Sequence, residues 1–146
     1  MAAFALDTSC MVAAVCAWHE RHQDAAAAFT HRLDRGETLI VPGPALIETY
    51  AVLTRLPPPH RLSATHAWTL IESNFVRNGK IAALSAPEYP RLLSALATRN
   101  ETGGRVFDSL IAASARRGSA TVLLTFNPRH FEDSESLSIV EPASDR

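Results

Sequence analysis

Five short apolar runs punctuate the chain, and their spacing limits the fold more than any other feature: FALD at 4–7, TLIVP at 38–42, KIAALS at 80–85, ATVLLT at 120–125 and SIVEP at 138–142. Each is too short for a stable helix and ends at polar or proline residues, as a buried strand does. Long helical patterns fill most of the gaps. SCMVAAVCAW follows the first run, and HQDAAAAFTHRLDRG is stopped by Gly36. GPALIETYAVLTRL ends at Pro57, Pro58 and Pro59, and Ser63 caps a helix reaching about Asn74. EYPRLLSALATRN starts at Pro87, and GGRVFDSLIAASARRG stops at Gly118. NPRHF is a turn with one helical turn after it. Strand, two helices and strand in repetition are what parallel neighbours require, because only a crossover brings the chain back to the same end. The predicted class is therefore α/β: three layers, a mainly parallel central sheet of four or five short strands, and helices on both faces. No boundary, internal repeat or linker divides residues 1–146, so one domain is expected, with a frayed tail in the last few residues.

In such sheets ligands bind outside the carboxyl ends of the strands. Asp7 and the segment around Asn127 fall there. Most of the 15 acidic residues sit among polar neighbours or at helix ends, where solvated acids belong: Glu20, Asp24, Asp34, Glu37, Glu72, Glu132 and Asp133. Three do not. Asp7 ends an apolar strand, Glu48 shares a helix face with Ala45, Ala51 and Val52, and Asp108 shares one with Ile111, Ala112 and Ala115. Each has a structural reading, Asp7 as an N-cap, Asp108 as an acid in a first helical turn, Glu48 as an edge residue reaching solvent. Brought together they need more. Carboxylates about 5 Å apart repel by roughly 3 kcal/mol per pair at an effective dielectric of 20. Protonation, an arginine or a hard divalent cation would relieve it, and oxygen ligands with water suit Mg²⁺ or Mn²⁺.

Net charge is −1 and the pI near 6.6, so a nucleic-acid partner needs a local basic patch. Lys80 is the only lysine, which excludes lysine chemistry elsewhere. Cys10 and Cys16, six apart in a predicted helix, lie on different faces and do not pair; two free thiols suggest a reducing cytoplasm. The apolar start of the chain has no basic residue before Arg21 and is interrupted by Asp7, so neither a signal peptide nor a membrane span is expected.

Four blocks, DTS after the first strand, ALIETYAVLTRL after the second, GGRVFDSLIAASA and LLTFNPRHF, resemble in order the motifs of the PIN domain, and more narrowly a bacterial VapC-type toxin ribonuclease of a type II toxin–antitoxin pair. The resemblance runs over about residues 4–131 and implies a PIN-like fold. It further implies that Asp7, Glu48 and Asp108 are acidic metal ligands and that Asn127 holds the fourth catalytic position, which is Asp in many members. Thr8 or Ser9, and Thr125, match hydroxyls that orient a carboxylate or a water. The implied reaction is Mg²⁺- or Mn²⁺-assisted hydrolysis of an RNA phosphodiester, leaving 5′-phosphate and 3′-hydroxyl ends. Arg105 and Arg129, near Asp108 and Asn127 in sequence, are the candidates for the substrate backbone. A cognate antitoxin protein and a homodimer are implied partners.

Other features carry less. Gly103 and Gly104 lack a phosphate-binding motif around them and read as a helix entry; His19 and His22 read as surface residues. His130 reads as a packing or turn residue, and Trp18, Trp68, Tyr50, Phe29 and Phe75 as core or dimer contacts. The competing function is a catalytically degenerate PIN-like module that binds RNA or protein without cutting. A receiver-like phosphoacceptor is disfavoured because no lysine follows the late strand.

Overall fold

The computed structural model describes residues 2–131, 134 and 136–143; Glu132, Asp133 and the expected tail at 144–146 lie outside them. Five strands form one sheet: β1 (Ala3–Leu6), β2 (Thr38–Pro42), β3 (Gly79–Ala82), β4 (Val122–Leu124) and β5 (Ser138–Val140). Their order is β3-β2-β1-β4-β5, and every neighbouring pair is parallel. The helices are α1 (Thr8–Val15), α2 (His22–Asp34), α3 (Gly43–Thr54), α4 (Ala64–Ile71), α5 (Glu88–Thr98) and α6 (Arg105–Arg117). A π turn at Glu72–Val76 prolongs α4, and a 3₁₀ turn at Pro128–Phe131 follows β4. Two strands are shorter than their apolar runs suggest. The third ends at Ala82 and the fourth at Leu124, because their β2 and β1 partners run out there.

Period-2 alternation divides the core. Phe4, Leu6, Leu39, Val41 and Leu124 face α1–α4, while Ala5, Ile40 and Leu123 face α6 and Phe131. The two layers differ in thickness. Phe29, Phe75 and Met11 fill the first, whereas alanines 112 and 115 bring α6 close to the sheet. At the end of α6 the backbone comes so near that a Cβ on Gly118 would lie 2.5 Å from Ile40 Cγ2 and 2.8 Å from the Ala82 Cβ. Only glycine fits. α5 packs outside α6 and buries little beyond Leu96.

Phe29 and Phe75 are core, as their spacing implies, but Trp18, Trp68 and Tyr50 are not; the two tryptophans are about half exposed. Trp18 instead stacks on His60, ring centroids 4.0 Å apart. Helical spacing to apolar neighbours says that residues share a face, not that anything covers it. Cys10 and Cys16 are both free and buried, and burial pushes their thiols up. Gly103, with φ +69°, occupies the left-handed region that a turn into α6 needs. Among the described residues no helix is long and apolar enough to cross a membrane.

From β1 the chain adds β2 and β3 on one side and then β4 and β5 on the other. The order therefore reverses between β1 and β4, which opens a crevice beyond their carboxyl ends. Asp7 follows β1 directly and Thr125 follows β4.

Candidate active site

Asp7 is held at the mouth of that crevice by the sheet itself. Its N–H donates to the Leu124 carbonyl (3.0 Å), extending the β1–β4 pairing by one step. Its carboxylate is 3% exposed and caps α1, Oδ1 accepting from the Cys10 N–H at 3.0 Å. Both readings of this acid are thus realised at once, cap and site residue. Two hydroxyls complete its setting: Ser9 Oγ donates to Oδ1 (2.7 Å) and Thr125 Oγ1 to Oδ2 (2.6 Å). Each hydroxyl is oriented in turn by a backbone donor, Ser9 by the Phe126 N–H (3.1 Å) and Thr125 by the Asn127 N–H (2.9 Å). Since the backbone N–H can only donate and an ionised carboxylate can only accept, the single proton of each hydroxyl goes to Asp7. Ser9 and Thr125 therefore orient the Asp7 carboxylate. Thr8 does not: its hydroxyl is buried, lines the site and has no partner among the described residues.

The other acids arrive from two helices. Glu48 projects half-buried from α3, with no hydrogen bond or ion pair among the described residues, and Asp108 sits half-buried in the first turn of α6. Asp7, Glu48, Asp108 and the exposed Asn127 line one cavity of about 460 Å³. Glu20, read as a solvated acid, lines it too. Burial raises the pKa of Asp7 above the ordinary carboxylate value; its hydrogen bonds oppose the rise and the charge of Asp108 adds to it. Asp108 is also raised, first by burial and then by Glu48, while His130 opposes.

Among the described residues no three His, Cys, Asp or Glu side chains are grouped so that they could share one metal ion. Asp7, Glu48 and Asp108, the expected ligands, line one cavity without closing on a single point. They come from three separate elements and repel one another across the cavity. A hard cation remains a good fit to what is there. Mg²⁺ is ordinarily held by one or two carboxylates and keeps several waters, and this cavity offers several carboxylate oxygens, the unpartnered Thr8 hydroxyl and, in Asp7 and Asp108, two acids raised by burial and by a neighbouring carboxylate.

Sequence reasoning passed over two residues. His130 lies in the 3₁₀ turn, as a turn residue should, and in addition its Nδ1 pairs with Asp108 Oδ2 at 3.0 Å. Proximity of NPRHF to the fourth strand was the available signal. Arg21 is the one arginine among the described residues that lines the acidic cavity; its guanidinium lies 4.3 Å over the Phe126 ring, pairs with Asp24 and Glu141, and donates to the Pro142 carbonyl (2.7 Å). No local pattern places it at the site, because its partners other than Asp24, namely Phe126, Glu141 and Pro142, lie over 100 residues away. Arg105 and Arg129 do not line the acidic cavity. They border a neighbouring hollow, where Arg105 donates to the Arg129 carbonyl (2.7 Å).

Residues 4–135 match the family model of the PIN domain. The chain is 41% identical to Ribonuclease VapC40 of Mycobacterium tuberculosis over 137 residues, covering 91% of this chain and 92% of that protein. It is similar in structure to Mycobacterium tuberculosis VapC20, described as a Sarcin-Ricin loop cleaving toxin, with a TM-score of 0.69 at 18% identity over 95% of this chain and 99% of that one. VapBC2 of Rickettsia felis, bound to a DNA fragment from its promoter, superposes with a TM-score of 0.68 at 20% identity, over 95% of this chain and 98% of that one.

Proposed function

The chain belongs to the PIN domain family, and on that premise we propose that it is an endoribonuclease, dependent on Mg²⁺ or Mn²⁺, acting as the toxin of a toxin–antitoxin pair. One observation carries this reading: Asp7, Glu48 and Asp108, remote in sequence, line a single cavity at the switch point of the sheet. The Ribonuclease VapC name of the relative and the VapBC complexes among the structural neighbours support it.

A divalent ion bound in the cavity supplies Lewis acidity, lowering the pKa of a coordinated water and offsetting charge on the phosphate. The protein's part is to fix oxygens. Asp7 is the rigid member, since three hydrogen bonds leave its carboxylate no rotational freedom. His130 steadies Asp108 from the opposite side. Glu48, without a partner among the described residues, is placed to take a proton from, or orient, the attacking water. Asn127 contributes an amide where an aspartate would add charge, which leaves the site less attractive to a second cation. Ser9 and Thr125 hold Asp7 in register with β4. The reading extends to a cytoplasmic protein, a homodimer silenced by a cognate antitoxin.

Purified protein incubated with RNA is expected to cut it in Mn²⁺ or Mg²⁺ and to stop in excess EDTA, with 5′-phosphate ends on the products. Cleavage that persists unchanged in EDTA, or none in either metal with any RNA offered, removes the proposal and favours the non-cutting module.

A further inference from the structure

The α6 side of the sheet holds a second, larger hollow of about 720 Å³, between α5 and α6. Its character is opposite to that of the acidic cavity. Among the described residues six arginines border it, Arg91, Arg99, Arg105, Arg116, Arg117 and Arg129, against the two acids Glu88 and Glu101. Their spacing follows the helices. Arg91 lies on α5 and Arg99 caps its end, while Arg105 and Arg116 lie eleven apart on α6, a near-whole number of turns. Between them the lining is Ala95, Ala112 and Ala113, so the floor is low and the charges stand on the rims.

We propose that this hollow is the track on which a single RNA strand lays its phosphates as it enters the acidic cavity, an inference that rests on the nuclease reading above. Continuity between the two sites is the main support. His130 borders the basic hollow and is paired with Asp108, which lines the acidic cavity. A strand lying between α5 and α6 therefore passes His130 directly into the site. The length also fits: Arg105 to Arg116 spans about 16 Å of helix, room for about five stacked nucleotides. Arginine is the residue suited to the task, since its planar fork meets phosphate oxygens with two donors. Arg99 and Arg117 are held in exposed positions by Glu101 (2.9 Å) and Glu88 (2.8 Å). Those pairs set where the guanidinium groups stand while leaving, among the described residues, a local excess of positive charge, in a chain whose net charge is −1. An acidic peptide is the other anionic chain that such a hollow accepts, but it has no reason to continue into a cavity lined by carboxylates.

The test measures binding of a labelled ten-nucleotide RNA by fluorescence anisotropy in EDTA, across a range of salt, for the wild type, Arg91→Ala and Arg116→Ala. Arg35→Ala, at the carboxyl end of α2 and outside the lining of the hollow, is the control. Each hollow variant is expected to weaken binding and to reduce the slope of log K against log salt by about 0.7, the loss of one phosphate contact on a single strand. Arg91→Lys should keep the slope, and Arg35→Ala should match the wild type. All variants should hydrolyse bis(p-nitrophenyl) phosphate in Mn²⁺ at the wild-type rate, because so small a diester does not reach α5. RNA affinities and slopes equal to the wild type overturn the track, as does loss of affinity for a poly-glutamate peptide with RNA binding intact. Failure of the wild type to hydrolyse any diester overturns the nuclease reading instead, and with it the strand's route into the acidic cavity.

Discussion

Asp108→Asn is expected to lower metal-dependent RNA cleavage by more than about 100-fold while the protein stays folded. Residues that merely orient a metal-binding group typically cost 10–100-fold when changed, and Asp108 is itself one of the facing carboxylates. The substitution is nearly isosteric. His130 Nδ1, 3.0 Å from Oδ2 in the native protein, finds an amide oxygen in the same place, so the 3₁₀ turn at Pro128–Phe131 keeps its tie to α6. Asp7 is a poorer choice, because it also caps α1 and binds Ser9 and Thr125; an Asp7 variant confuses lost chemistry with lost structure. Cleavage by Asp108→Asn within tenfold of the wild type, in a protein with an unchanged far-ultraviolet spectrum, would contradict the assignment.

The same variant should be more stable than the wild type at neutral pH when no divalent cation is present. Asp108 and Asp7 both have folded pKa values raised above 3.8, by burial first and by neighbouring acids as well. A group that binds its proton more tightly when folded stabilises the protein below its unfolded pKa, and that contribution is lost as pH rises through the folded value. At pH 7 it is gone. Removing the charge at 108 therefore helps most near neutrality, and the advantage should shrink as pH falls towards 4. The comparison has to be between variants at each pH, because other carboxylates act oppositely. Glu88 is held at about 2 by its bonds from Ser85 and by Arg117, and at Glu37 and Glu101 arginine partners outweigh the burial penalty. Mg²⁺ should reverse the ranking. At a concentration a hundred times its Kd, a ligand of the folded state adds about 2.7 kcal/mol, or roughly 5–10 °C in Tm for a chain of this size. The wild type should gain that and Asp108→Asn much less. Equal gains in both would mean that the cation binds elsewhere.

The fold was legible because its cause is local. Runs such as TLIVP and ATVLLT cannot form helices, and crossovers of two helices leave parallel pairing as the only arrangement. The three acids were legible because each breaks an apolar stripe. What sequence could not show depends on how distant elements meet. Asp108 and His130 are joined only when α6 packs beside the turn after β4, and Arg21 reaches the site only because α2 begins next to the exit of β5. Trp18 and Trp68 look like core by spacing, yet whether a helix face is covered is decided by its neighbours. The grouping of the carboxylates lay beyond reach for a related reason. Strand ends fix which side of the sheet an acid occupies, but not whether three side chains close on one point. The arginines of α5 and α6 were scattered letters until the helical phase put them on facing rims.

The central claim is that the cavity holding Asp7, Glu48 and Asp108 binds the divalent cation used to cut RNA. Crystals of the wild-type protein soaked in Mn²⁺ and measured at the manganese absorption edge address it directly. An anomalous peak inside that cavity, beside Asp7 and Asp108 and missing from Asp108→Asn crystals, is the predicted result. A peak confined to some other part of the molecule, in a protein that cleaves RNA with Mn²⁺, would contradict it.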